Sequence, residues 1–204
     1  MNMFDIMQAK KDVASMAAAL KLKPQEMRSY TYADYCEWDD DERWELIDGV
    51  AYAMAAPLVQ HQDVSRNIFI QIANFLKGKK CKVYYSPIDV RLNADTKDNT
   101  IVQPDIIVVC DKSKIDLKSI IGAPEMVVEV LSPSNASYDL TKKYKLYLQV
   151  GVREYWVVDP VFKTVVTHIL ADGKYIGTAY DETKIVPVSV LEGCIVDLSE
   201  VFEE

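Results

Sequence analysis

Two carboxylates stand where apolar strands should exclude them. In PEMVVEVL (124–131), Glu129 interrupts a run of Met126, Val127, Val128, Val130 and Leu131. In IVQPDIIVVC (101–110), Asp105 follows Pro104 and precedes Ile106, Ile107, Val108 and Val109. Continuous apolar runs predict strands covered on both faces. An ionised carboxylate in such a strand is costly unless it is paired, hydrogen-bonded or metal-bound. If the two strands are neighbours, the acids stand side by side, and their repulsion requires a cation or proton between them. Oxygen ligands alone favour Mg²⁺ or Mn²⁺.

The segment after the second strand supplies a third unusual position. Leu140, Tyr144 and Tyr147 form the packing stripe of a predicted helix, which Ser137 or Asp139 can cap, and Lys143 lies within that stripe. Lysine on a packing face and glutamate in a buried strand account for each other if Lys143 points at the carboxylates. Each position also has a plain structural explanation. Glu129 and Lys143 can form an ion pair without chemistry, Asp105 can be a strand-start acid, Lys143 can snorkel, and Tyr147 can be a core aromatic. Glu45, inside the apolar frame WELI, is either a further carboxylate of the site or one half of an edge-strand ion pair. His61, at the start of a long predicted helix, either faces a substrate channel or adds helix-terminal polarity. His168 reads as structural, and Lys142 and Lys145, off the stripe, as solvated.

The elements that must hold these residues follow from pattern. Thr31 is an N-cap for a short helix in YADYCEWDD. RWELIDGVAYAMA alternates around Asp48-Gly49 and predicts a hairpin. Val64, Ile68, Ile72, Phe75 and Leu76 recur at helical spacing, so 59–77 is an amphipathic helix closed by Gly78. CKVYYSPIDVRL reads as one strand bent at Pro87, and IVQPDIIVVC as the next. Residues 111–121 read as a loop or short helix. PEMVVEVL, a helix ending at Gly151, and REYWVVDP follow. Residues 163–200 (VVTHIL, KYIGTAY, KIVPV) read as a β-meander. The order predicts an α/β fold: a mixed sheet flanked by helices, with an added antiparallel β extension. Residues 1–28 are expected to be an N-terminal helical extension, amphipathic and peripheral, and 29–204 one domain.

Bulk composition narrows the function. The 204 residues are half hydrophobic with 26% charged, enough for one domain with a sizeable core. No apolar stretch approaches the length needed to cross a bilayer, and the N-terminus lacks the pattern of a secretory signal. The cysteines, Cys36, Cys81, Cys110 and Cys194, form no C-x-x-C pair, which disfavours zinc. Reduced thiols in a cytoplasm are therefore expected. The net charge of −8 lowers the expectation of nonspecific nucleic-acid binding, because phosphate contacts leave a basic footprint. Any such footprint would have to gather around Lys142, Lys143, Lys145 and Arg153.

Pro104-Asp105, Glu129-Val130-Leu131, Asp139, Lys143-xxx-Tyr147 and GVREYWVVDP together resemble the PD-(D/E)xK restriction-endonuclease-like superfamily. The nearest resemblance is to a large bacterial family of mostly uncharacterised nucleases, similar also in ELIDG (45–49), the Pro57…His61 spacing and GAPEMVVEVLSPS (122–134). It covers roughly residues 30 to 200. Leu131 occupies the position where the superfamily pattern has lysine, and similar families carry that lysine on the following helix, at Lys143 here. The resemblance implies a restriction-endonuclease-like fold and a metal-dependent endonuclease that hydrolyses phosphodiester bonds in DNA. Mg²⁺, with Mn²⁺ as substitute, is implied on Asp105, Glu129 and the Val130 carbonyl. Lys143 then orients water or stabilises transition-state charge, Glu45 adds a carboxylate, and His61 and Tyr147 face the substrate. A homodimer is expected for a small domain cutting duplex DNA. Two alternatives stand beside it: a noncatalytic nucleic-acid-binding or assembly module that keeps the fold, and a metal hydrolase of small phosphorylated substrates.

Overall fold

The structure is a computed structural model and describes residues 29–38, 42–132 and 139–203. The expected N-terminal helical extension lies outside the described residues, as do Ser137 as a cap and the side chains of Asp139 and Leu140.

Helix α1 (Tyr32–Cys36) opens on the expected cap. Thr31 accepts the Asp34 N–H, and the Asp34 carboxylate accepts the Thr31 N–H at 2.9 Å, a reciprocal capping box. Strands β1 (Arg43–Ile47) and β2 (Val50–Met54) form the predicted hairpin. Its turn residues Asp48 and Gly49 have φ of 51° and 79°, a pairing that suits the right-handed twist of the flanking strands. Helix α2 (Val59–Leu76) buries His61, Val64, Ser65, Ile68, Ile72 and Leu76.

Two segments expected to be single strands divide between sheets. CKVYYSPIDVRL becomes β3 (Lys82–Tyr85) and β4 (Asp89–Arg91), and IVQPDIIVVC becomes β5 (Ile101–Val102) and β6 (Ile106–Val109). In both, a proline without an N–H to give the ladder marks the break, Pro87 in one and Pro104 in the other. The stretch 111–121, expected as loop or short helix, holds a 3₁₀ turn at Lys112–Lys114 and then β7 (Ser119–Ile121), which runs parallel to β4. Strand β8 (Met126–Val130) is followed by a π-helical turn (Asp139–Lys143) and helix α3 (Tyr144–Val150), which Gly151 ends in the left-handed region. Strands β9 (Glu154–Asp159), β10 (Thr164–Ala171) and β11 (Lys174–Asp181) complete the main run. The predicted meander is real for β10 and β11, which continue antiparallel from β9. It stops there, because β12 (Ile185–Pro187) pairs instead with β13 (Ile195–Asp197) in a separate two-stranded sheet, followed by α4 (Leu198–Val201).

The large sheets have strand orders β2-β1-β5-β4-β7 and β11-β10-β9-β8-β6-β3. The central strands of the second, β6, β8 and β9, are covered on both faces, which explains their uninterrupted apolar runs. Alternate residues Met126, Val128 and Val130 of β8 pack with Val64, Ile68 and Ile72 of α2, while Val127 packs with Leu146 and Tyr147 of α3. Trp44, Leu46, Ala51 and Ile101 form a smaller core in the first sheet. Cys81 and Cys110 are joined by a disulfide, contrary to the expectation of reduced thiols. The cause is register: β3 and β6 pair Lys82 with Val109, so the next row places the two cysteines opposite each other. Among the described residues no helix is long and apolar enough to cross a membrane.

Candidate active site

Glu129 lies in β8 level with Val157 of β9 and is buried. Strand alternation turns it to the same face as Val127, towards α3. There one carboxylate oxygen, Oε1, receives two donors from successive turns of the helical segment. Lys143 Nζ donates at 3.0 Å and Tyr147 OH at 2.6 Å. The i, i+4 spacing is what lets both side chains reach one atom. Burial, and then the Glu129 charge, hold the Tyr147 hydroxyl well above the ordinary tyrosine pKa, so it stays a donor.

Glu45 reaches the same lysine from the other sheet. Its Oε1 lies 3.0 Å from Lys143 Nζ and also accepts the Gln103 N–H at 2.8 Å. Lys143 is only 2% exposed, Glu45 2% and Glu129 3%. One ammonium thus sits between two buried carboxylates, an arrangement stable only with close geometry and satisfied lone pairs. Lys142, next in sequence, is exposed and donates to the Tyr52 hydroxyl, which stands on β2 level with Glu45.

Asp105 ends the loop before β6. Because Ile106 pairs with Val128, Asp105 falls one row on, level with Glu129. Its Oδ2 accepts the Val130 N–H at 2.8 Å and lies 3.2 Å from His61 Nε2. His61 is buried in the first turn of α2. Asp105, His61, Ser65, Arg43, Ser86 and Ser132 line an open pocket of about 140 Å³. The site residues named from sequence therefore form two linked groups: Glu45, Glu129, Lys143 and Tyr147 in one, Asp105, His61 and the Val130 backbone in the other. His168 packs between Tyr144 and Tyr155, away from both.

The oxygen donors available suit a hard divalent cation. Among the described residues Asp105 Oδ1 takes no hydrogen bond, and the Val130 carbonyl lies on the same strand edge as the N–H that Asp105 accepts. Among the described residues no three His, Cys, Asp or Glu side chains group as a metal cluster. The oxygens on hand for such an ion would be those of two carboxylates and a main-chain carbonyl.

The expected basic footprint is corrected by the register. Arg153 precedes Glu154, whose partner is Met126, so it stands at the end of β8 opposite Val130. Lys143 is committed to carboxylates. The cation on the pocket wall is Arg43, which sequence reasoning passed over, together with Gln103, which joins Arg43 to Glu45. The available signal was Gln103 itself, a buried amide inside an apolar strand segment. Glu154 was also missed. It is fully buried and accepts Trp156 Nε1–H and the Val190 N–H at 2.8 Å each.

This layout, a mixed sheet whose adjacent strand ends bear Asp105 and Glu129 with a lysine-bearing helix behind, is the restriction-endonuclease-like nuclease fold. Over 85% of this chain and 97% of its own length, a crystal structure described as "a putative nuclease belonging to DUF820" from Anabaena variabilis superposes with a TM-score of 0.68, at 20% identity. The chain belongs to the Uma2 family, described as "Putative restriction endonuclease", which matches residues 31–199. An uncharacterized protein of Synechocystis sp. is 33% identical over 129 residues, 62% of this chain and 62% of that relative's length.

Proposed function

We propose that this protein is a metal-dependent endonuclease that hydrolyses phosphodiester bonds in DNA. Asp105, Glu129 and the Val130 carbonyl form the ligand set for Mg²⁺, with Mn²⁺ as substitute. Such an ion polarises a phosphate oxygen and lowers the pKa of a bound water. Lys143 and Tyr147 fix the rotamer of Glu129, and Lys143 brings the positive charge that steadies charge developing on the phosphate. Glu45 holds Lys143 from the opposite sheet, and His61 holds Asp105. The observation that carries this reading is the convergence on β8. Glu129 is gripped by the lysine of the following helix, while Asp105 holds the N–H of the very next residue. A cytoplasmic homodimer belongs to the same reading, and sedimentation of the full chain with and without duplex DNA tests the dimer.

The decisive experiment is cleavage of supercoiled plasmid and labelled single strands with Mg²⁺ or Mn²⁺. Nicking that stops with EDTA and with Asp105→Ala, while circular dichroism stays unchanged, supports the assignment. Undiminished cleavage by Asp105→Ala removes Asp105 from the site. One observation favours a noncatalytic module that keeps the fold: Lys143 is buried between two carboxylates, as in a purely structural ion pair. Ion binding without cleavage of any DNA form would select that reading.

A further inference from the structure

Arg43 opens β1 on the pocket wall beside Asp105, Ser86 and Ser132. A guanidinium has five N–H donors in a rigid fork. Three are used: Nε and one N–H of Nη2 go to Gln103 Oε1 at 3.1 and 2.6 Å, and the other N–H of Nη2 goes to Ser86 Oγ at 2.8 Å. Among the described residues, the two N–H groups of Nη1 have no acceptor and no carboxylate lies within ion-pair distance.

The other described arginines behave differently. Arg91 is clamped by Asp98 at 3.0 and 2.6 Å, Arg66 pairs with Asp63 at 3.0 Å, and Arg153 is exposed. Arg43 is half-buried and neutral in its partners. Its partners are themselves fixed. Gln103 is buried and its amide can be placed only one way, because its Nε2 donates to Asp89 Oδ1 at 2.9 Å and to the Tyr35 hydroxyl at 3.1 Å. Its carbonyl must therefore face Arg43. Tyr35 in turn donates to Asp89. Three elements thus hold one cation in place while leaving its charge unneutralised and one edge of its fork unused. In a protein of net charge −8, such a cation calls for an anion from outside. The two donors left on Nη1, on a guanidinium that keeps its charge, can hydrogen-bond the oxygens of an oxyanion such as a phosphate.

We infer that Arg43 is a phosphate-binding subsite of the cleft, donating from Nη1 to one backbone phosphate of the substrate strand. The inference rests on reading the cleft as a phosphodiester-hydrolysing site, and it names that site's substrate contact. Gln103 is its positioning residue: through its side chain it orients Arg43, and through its N–H it holds Glu45, so substrate contact and ion-paired core share one residue.

Two probes test this on the full chain. Tungstate, a phosphate-sized oxyanion, is titrated calorimetrically, and fluorescein-labelled DNA, duplex and single-stranded, is titrated by anisotropy across a salt series. Wild type should bind tungstate and Arg43→Ala should not. For DNA, Arg43→Ala should raise Kd about 10- to 100-fold, the range for losing hydrogen bonds to a charged group, and lower the salt slope by about 0.9. Arg43→Lys, which keeps the charge but not the fork, should recover only part, and it carries the test if the alanine variant fails to fold. A folded Arg43 variant that binds both probes as wild type does, with the same slope, overturns the inference. If wild type cleaves DNA and Arg43→Ala cleaves with unchanged KM and kcat, the subsite falls and the nuclease reading stands. If wild type binds tungstate through Arg43 yet neither binds nor cuts DNA, the subsite stands and the nuclease reading falls.

Discussion

Glu129 and Asp105 stand level with each other across neighbouring chain segments and have opposite surroundings. Glu129 is closed in by Lys143, Tyr147 and, across the lysine, Glu45, all buried. Asp105 keeps one oxygen uncommitted and faces a pocket with His61 and Arg43. The difference teaches that one half of the site is tied into the core and the other half is held ready for something that is not protein. A carboxylate in the first half should matter to folding and chemistry together, and one in the second half mainly to chemistry.

The comparison breaks most visibly on activity. Asp105→Asn should lose about 10²- to 10³-fold in plasmid cleavage, the scale of removing one electrostatic contributor, with little change in urea midpoint. Glu129→Gln should lose similar activity and stability as well, and equal stability in the two variants would erase the distinction. Next in size, Lys143→Met leaves two carboxylates buried without their cation. It should destabilise by about 3–5 kcal/mol, measured by urea unfolding, and a loss below about 1 kcal/mol would mean the knot is not closed. Tyr147→Phe removes one donor to a charged acceptor and should cost about 1.5–3 kcal/mol. Because burial holds Tyr147 above the ordinary tyrosine pKa, alkaline absorbance titration of the folded protein should also show the same number of tyrosines in that variant as in wild type.

The smallest effect concerns Glu154, which sharpens the contrast by forming no ion pair among the described residues, only the charge of neighbouring Arg153 acting on it. Burial raises its pKa, with the Val190 and Trp156 donors partly opposing. A raised carboxylate pKa contributes stability that is full below the unfolded value and is lost as pH rises through the folded value. Glu154→Gln does not titrate. The stability difference between wild type and this variant should therefore move against wild type as pH rises from about 4, the ordinary carboxylate region, to 7. A difference flat with pH would show that the donors fully offset burial.

Local pattern made several parts of this fold readable. The Asp-Gly hairpin, the long amphipathic helix, the Gly151 stop and the apolar β8 each follow from spacing within a few residues. The sheet assignment did not, because Pro87 and Pro104 read equally as bends within strands or as exits from one sheet to another, and only long-range pairing decides. The site was legible where a residue was out of character: Glu129, Asp105 and Lys143 each break an apolar pattern, and Glu45 interrupts WELI. Arg43 was invisible for the opposite reason. A charged residue opening an edge-like strand looks ordinary, and its meaning depends on which acceptors surround it. Glu154, next to Arg153 at a strand start, looked equally ordinary until burial set it apart.

The chain between Val102 and Ile106 leaves one sheet and enters the other within three residues, Gln103, Pro104 and Asp105. That bridge works as a ruler. Its first residue is fastened to the hairpin acid and its last to the end of β8, so the gap across which a substrate must fit is set by covalent bond lengths. Adding or deleting a single residue there would turn one anchor to the wrong face, and the cleft would lose its calibration before the rest of the molecule noticed.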